Sequence, residues 1–208
     1  MKTIYLHGLG QTAKAWDKVI TNPQDEVVLD MWHMLGTREY SYENLYKVIK
    51  EFLEPIDGEV NLVGLSLGAV VALNYALDFK DKVNTLVLVG VNYRYLKKPR
   101  IENFIISFLP RSLEEKMGIS KENLKKMKNS LVGLDFTDRL TDISATTVVI
   151  CGERDTPRNK SASKIISEQI PQAQLQWVPE AEHHVNEENP EALKKMIQTR
   201  LQVDVVTF

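Results

Sequence analysis

Short apolar runs rich in β-branched residues recur at 3–6, 26–29, 60–63, 85–89, 147–151 and 175–178, each flanked by turn-forming or charged residues. Runs of this length and composition read as buried strands. The segments between several of them carry the other period. Over 41–53, Leu45, Val48, Ile49 and Phe52 fall on one helical face after Ser41, a residue suited to the N-cap. A last helix is expected from Asn189 as cap and Pro190 in the first turn, burying Leu193, Met196, Ile197 and Leu201. Strands alternating with helices imply a parallel sheet with crossover helices packed on its faces.

The stretch 92–143 breaks the alternation, because it holds no strand pattern. Ser112-Leu113-Glu114-Glu115 has the form of a capping box, and Ser120 suits the cap of another short helix. A helical insertion follows. It carries Tyr93, Tyr95, Phe104, Ile105, Phe108 and Met117 beside Lys97, Lys98, Arg100 and Arg111. Such a mixture suits either the roof of a substrate pocket or amphipathic helices packed on a core. Its place directly after a strand end, where open α/β sheets bind ligands, favours the roof. Aromatic and aliphatic groups there favour a partly apolar substrate, and the lysines and Arg100 an anionic tail.

With 208 residues the chain forms one α/β domain, 1–208, with 92–143 as its insertion. The 26 basic and 28 acidic residues leave a net charge of -2, so no global field draws in nucleic acid or an anionic membrane. Met1-Lys2-Thr3-Ile4 enters a strand pattern at once, and no apolar run approaches the ~20 residues of a membrane span. A cytoplasmic location is expected. The lone cysteine, Cys151, lies in an apolar run and reads as a buried, inert thiol. Asn159-Lys160-Ser161 fits a glycosylation acceptor, which has little meaning without export. The four histidines show no metal-ligand spacing, and neither a metal nor a cofactor is expected.

The candidate chemistry sits at strand ends. Gly64-Leu65-Ser66-Leu67-Gly68 joins an apolar strand to the apolar helical run Ala69-Val70-Val71-Ala72. A serine on such a turn is held in strained backbone with its hydroxyl exposed, and the flanking glycines remove side chains that would collide across the turn. A serine hydroxyl needs a base to act as a nucleophile. Gly152-Glu153-Arg154-Asp155 follows the fifth strand, and Pro179-Glu180-Ala181-Glu182-His183-His184 follows the sixth. The order Ser66, Asp155, His183 is that of triads built on a strand-to-helix serine turn.

These residues resemble the α/β-hydrolase family over nearly the whole chain. His7-Gly8-Leu9-Gly10 looks like its oxyanion loop, Gly64 to Gly68 like its nucleophile elbow and Gly152 to Asp155 like its acid turn. His183 through Asn189-Pro190-Glu191 resembles its histidine loop, and this spacing selects His183 over His184. The resemblance implies a shortened, mostly parallel sheet of about six strands with helices on both faces. It further implies a serine hydrolase of a small ester or thioester, with Ser66 as nucleophile, His183 as base and Asp155 orienting it. The backbone N–H groups of Leu9 and Leu67 would receive the oxyanion. His7 would support the oxyanion loop, whereas Trp32 and His33 receive no role. Glu182 stands where relatives have glycine. Turned toward the imidazole it would raise the pKa of His183; turned to solvent it would not. A lyase or acyltransferase using the same triad, and a non-catalytic small-molecule binder, stand as alternatives.

Overall fold

The computed structural model describes residues 1–97 and 99–203. Lys98, named above among the cations of the insertion, lies outside the described residues. Six strands, β1 (Thr3–Leu6), β2 (Glu26–Leu29), β3 (Val60–Leu65), β4 (Val83–Val89), β5 (Thr146–Gly152) and β6 (Gln174–Val178), form one sheet. Their order is β2-β1-β3-β4-β5-β6, and every pairing is parallel. All strands therefore deliver their carboxyl ends to one edge. The chain leaves β1 toward β2 and then returns to place β3 on the other side, so the crevice between β1 and β3 is the switch point of the sheet.

The pattern located all six strands to within about two residues. β4 begins at Val83, before the expected start at Thr85, because Val83 pairs with Val60 across an irregularity in the β3–β4 register. The polar flank, Lys82 and Asn84, hides this buried valine from a pattern argument.

Alternate strand residues feed two cores. Ile4, Leu6, Leu62, Leu86, Leu88 and Val149 belong to one, with helices α1 (Met31–Leu35), α2 (Tyr42–Leu53), α3 (Leu67–Asp78) and α7 (Pro157–Gln169) contributing to it. Tyr5, Val63, Leu65, Val87, Val89 and Ile150 face the other, packed by α8 (Val185–Glu188), α9 (Pro190–Val203) and Trp16 of a 3-10 turn at Ala13–Trp16. Each such aliphatic side chain contributes about 1.5–3 kcal/mol by leaving water. Because both faces are covered, the strands read as continuous apolar runs instead of alternating ones.

The helix starts follow their caps. Ser41 accepts from Asn44 N–H at the start of α2, and Asn189 accepts from Ala192 N–H in the first turn of α9. Leu45, Val48 and Ile49 are buried as the period requires, but Phe52 is 36% exposed. Leu193 and Ile197 are buried, while Met196 and Leu201 pack at the margin of the core.

Between β4 and β5 run three short helices, α4 (Arg100–Ser107), α5 (Arg111–Met117) and α6 (Lys121–Ser130), and a 3-10 turn at Thr137–Asp142. Arg94 bridges Asp135 antiparallel, closing the segment at its base. Ser120 caps α6 through Asn123 N–H as expected. Ser112 does not cap α5, which begins one residue earlier after an extended Pro110. Glu114, the acid of the supposed capping box, instead accepts from Lys121 N–H and ties α5 to α6.

Candidate active site

Ser66 occupies the sharp turn between β3 and α3 with φ 53° and ψ -109°, a conformation that costs a side-chain-bearing residue energy. Its N–H donates to Val89 O at 2.8 Å, pinning the turn to β4. A Cβ on Gly64 would run into the backbone of Gly68 and Ala69, and one on Gly68 into the carbonyls of Leu6 and His7. Both glycines are required because backbone crosses backbone there. Leu67 begins α3, so its N–H belongs to the first turn, whose donors have no partner within the helix and lie at the positive end of its dipole.

Asp155 follows β5 and is 4% exposed. Burial alone would raise its carboxyl pKa. The hydrogen bond and charge of His183, with donors from Asn159 and Thr156, outweigh burial and hold it below the usual value. Oδ1 accepts from Thr156 N–H at 2.6 Å and Asn159 Nδ2 at 2.7 Å, and Oδ2 lies 2.9 Å from His183 Nδ1. The carboxylate thereby fixes the ring so that Nε2 is the nitrogen left to take a proton. Asn159 Nδ2 also lies 3.0 Å from His183 Nδ1, while its Oδ1 accepts from Asn92 Nδ2 at 2.8 Å. The asparagine of the apparent glycosylation sequence is therefore built into this hydrogen-bonded group.

The turn bearing Asp155 and the loop bearing His183 are one packed unit. Glu153 N–H donates to Val178 O and Arg154 N–H to Ala181 O. A Cβ on Gly152 would collide with the carbonyls of Ala181 and Glu182. Gly90, at the end of β4 with φ +57°, lies under the imidazole, where a Cβ would stand 3.0 Å from His183 Cε1. His184 is exposed and stands at the N-cap position of α8 without a side-chain cap bond. Glu182 is exposed as well, with its N–H turned to Glu188, which is the solvent-facing alternative of the two considered.

His7 is fully buried between two backbone groups: Nε2 accepts from Met31 N–H at 3.1 Å, and Nδ1 donates to Gly8 O at 2.9 Å. Burial lowers its pKa, against smaller upward effects from Gly8 and Asp30. A neutral ring satisfies both bonds, so His7 fastens the loop after β1. Gln11 extends that support. Its Oε1 accepts from Gly8 N–H at 3.1 Å, and its Nε2 donates to Asn186 Oδ1 at 2.8 Å and Glu187 Oε2 at 2.9 Å on α8. Trp32 Nε1 donates to Gln11 O, so Trp32 is part of this support, whereas His33 is exposed. Cys151 is buried, its thiol pushed up to about 11 mainly by desolvation, with Sγ 3.8 Å from Asp155 Oδ2.

Leu9, Ser66, Leu67 and His183 line one cavity of about 180 Å3, roofed by the segment between β4 and β5 through Tyr95, Pro99, Lys128, Leu131 and Val132. The four chain positions expected to supply nucleophile, base and oxyanion donors thus meet at one space. Asn159, Gln11 and Gly90 were not foreseen. A lone amide or glycine gives no pattern, although Asn159 stands one turn after Asp155, the spacing at which helix-start side chains meet. The roof also differs from expectation: of the apolar residues named for it, Tyr95 lines the cavity, but Phe104, Ile105 and Phe108 are 67%, 57% and 73% exposed.

Among the described residues, no helix is long and apolar enough to cross a membrane. Residues 4–105 match the family model described as alpha/beta hydrolase fold. An esterase of Mycobacterium tuberculosis is 34% identical over 107 residues, 47% of this chain and 35% of the esterase. A pimeloyl-[acyl-carrier protein] methyl ester esterase of Vibrio vulnificus is 24% identical over 60% of this chain and 51% of its own length. Both relatives are thus matched over about half their length or less. The crystal structure of an enol-lactonase from Burkholderia xenovorans superposes with a TM-score of 0.79 at 16% identity, covering 96% of this chain and 90% of that one.

Proposed function

Because the chain belongs to the α/β-hydrolase fold superfamily, we propose that it is a serine hydrolase of small carboxylic esters or thioesters, acting through an acyl-enzyme on Ser66. The observation that carries this reading is the 2.9 Å contact of His183 Nδ1 with Asp155 Oδ2 in the wall of the cavity that Ser66 also lines. The esterase names of the relatives agree with it.

In this mechanism Ser66 Oγ attacks the carbonyl carbon while His183 Nε2 takes the hydroxyl proton. Asp155, ionised at neutral pH and bonded to Nδ1–H, holds the productive tautomer and stabilises the imidazolium. Negative charge moves to the carbonyl oxygen, where the N–H groups of Leu9 and Leu67 receive it; one such donor contributes about 3 kcal/mol in a well-studied protease. His183 then returns the proton to the leaving alkoxide or thiolate. A water molecule, deprotonated by the same nitrogen, releases the acid and regenerates Ser66. Residues 92–143 act as a cap that narrows access to this chemistry.

A fluorophosphonate probe tests the reading. Labelling is expected at Ser66, lost in Ser66→Ala and strongly slowed in His183→Ala. A folded protein that neither labels nor cleaves a short-chain aryl ester overturns it.

A further inference from the structure

The chain is slightly acidic overall, yet the space above Ser66 is cationic. Lys97, Lys128 and Arg158 line the inner cavity against a single carboxylate, Glu102. A second cavity of about 680 Å3 shares Asn92, Lys97, Pro99, Glu102 and Arg158 with the first, so the two adjoin. Its walls add Arg94 and Arg100. Among the described residues, five cations and one carboxylate therefore line these two adjoining cavities.

Among the described residues, none of the five lies within ion-pair distance of a carboxylate. Arg94 and Arg158 are placed over the rings of Tyr93 and Tyr95, at 5.6 Å and 6.0 Å. A ring face attracts a guanidinium without taking up its N–H donors, which stay available to a planar or tetrahedral anion. Lys128 comes from α6, is half-buried, and lines the inner cavity together with Arg158 and Glu102. A half-buried ammonium with no carboxylate at ion-pair distance is costly in a structural role, and the cost is offset when an anion binds.

We propose that Lys128 and Arg158 anchor an anionic group, a carboxylate or a phosphate, at the non-reacting end of the substrate. This inference rests on the serine-hydrolase reading and names its substrate class: an ester or thioester with an anionic tail. Lys97, Arg94 and Arg100 extend the positive field along the entrance and steer that tail inward. Glu102 sets the balance, keeping the cationic cluster from holding the product acid too tightly.

The test compares matched substrates. The 4-nitrophenyl monoester of adipate, the 4-nitrophenyl ester of 5-phosphonopentanoate and 4-nitrophenyl hexanoate share a reacting end and differ in the tail. Wild-type kcat/KM is expected to favour an anionic ester over hexanoate by about tenfold or more, the range of a charge-assisted hydrogen bond. The preferred anion identifies carboxylate or phosphate as the tail. Lys128→Met and Arg158→Gln should each lower the ratio of anionic to neutral kcat/KM about tenfold. Lys126→Met, on the exposed face of the same helix, should leave the ratio as it is. Raising ionic strength from about 0.02 to about 0.5 M should shrink the preference.

A wild-type ratio of one or less, or a ratio unmoved by both substitutions, overturns the subsite while leaving the hydrolase reading intact. Failure of the hydrolase reading shows separately, as absent Ser66 labelling and no cleavage of hexanoate. In that event calorimetric titration with adipate and with inorganic phosphate decides. Binding of either that is lost in Arg158→Gln sustains the subsite, and no binding of either removes it.

Discussion

Asn159 Nδ2 donates to Asp155 Oδ1 at 2.7 Å and lies 3.0 Å from His183 Nδ1, so a single amide nitrogen touches both the carboxylate and the ring that the carboxylate meets. One amide thus sets the angle at which Asp155 meets the ring. On the proposed mechanism Asn159→Ala should lower kcat about tenfold, the loss of a hydrogen bond to a charged group, with folding retained. Asn159→Asp should behave differently. It sets a second carboxylate against Asp155 Oδ1, where like charges oppose each other and the amide donor is gone, so kcat should fall further than in Asn159→Ala and recover in part as pH is lowered. Steady-state kinetics across pH on one aryl ester separate the two outcomes.

Gly90 and Gly58 make a matched pair for separating backbone strain from crowding. Both have positive φ, +57° and +74°, but a Cβ on Gly58 meets nothing within 4 Å while one on Gly90 presses on His183. Gly58→Ala should cost about 1 kcal/mol of stability and leave activity alone. Gly90→Ala should cost at least as much in denaturant unfolding and also depress kcat. Equal activity in the two variants would show that the imidazole does not depend on the space at Gly90.

His7 should make stability depend on pH. Its folded-state pKa is depressed by burial, so the unfolded chain binds a proton that the folded chain resists. The contribution is complete above the ordinary histidine pKa of 6.5 and is lost as pH falls below it toward the folded-state value. Thermal unfolding should therefore occur at lower temperature as pH is brought from 7.5 to 5. In His7→Asn this part of the pH dependence should vanish, with a lower midpoint at pH 7.5 from the lost bond to Met31.

Gln11 joins the loop after β1 to α8 across 175 positions in sequence. Gln11→Ala removes the acceptor of the Gly8 N–H and the donor to Asn186 and Glu187, and should destabilise by about 1–3 kcal/mol, as expected when buried polar groups lose partners. If Leu9 N–H receives the oxyanion, kcat should fall with KM nearly constant, because the support for that donor matters most in the transition state. A rise in KM alone would place Gln11 in substrate binding.

What the sequence disclosed is what local chemistry dictates. β-branched runs gave the strands, Ser41 and Ser120 marked helix starts, and Gly64 and Gly68 flagged a crossing of backbones around Ser66. Asp155 and His183 were legible because each follows a strand at the same edge of a parallel sheet. What stayed hidden depends on partners far apart in sequence. Asn159 looks like a surface sequon until Asn92 and Asp155 close around it, and Gln11 is an ordinary polar residue until α8 arrives. Ser112 misled for a related reason: Glu114 found its partner in the next helix rather than in its own first turn. Phe104 and Phe108 misled because an apolar side chain on a short helix has no fixed duty to face inward, and these two meet edge to face at 5.0 Å outside.

The amide pair of Gln11 and Asn186 also bears on how the protein is made. A ribosome releases the serine turn early, whereas α8 and the loop carrying His183 come near the end of the described chain. Contacts between such distant segments form late. On the proposed mechanism, a chain synthesised only as far as β5 therefore carries a serine without its base. Proton transfer to His183 on that mechanism waits until the loop after β6 has docked and the Gln11–Asn186 pair has joined the loop after β1 to α8.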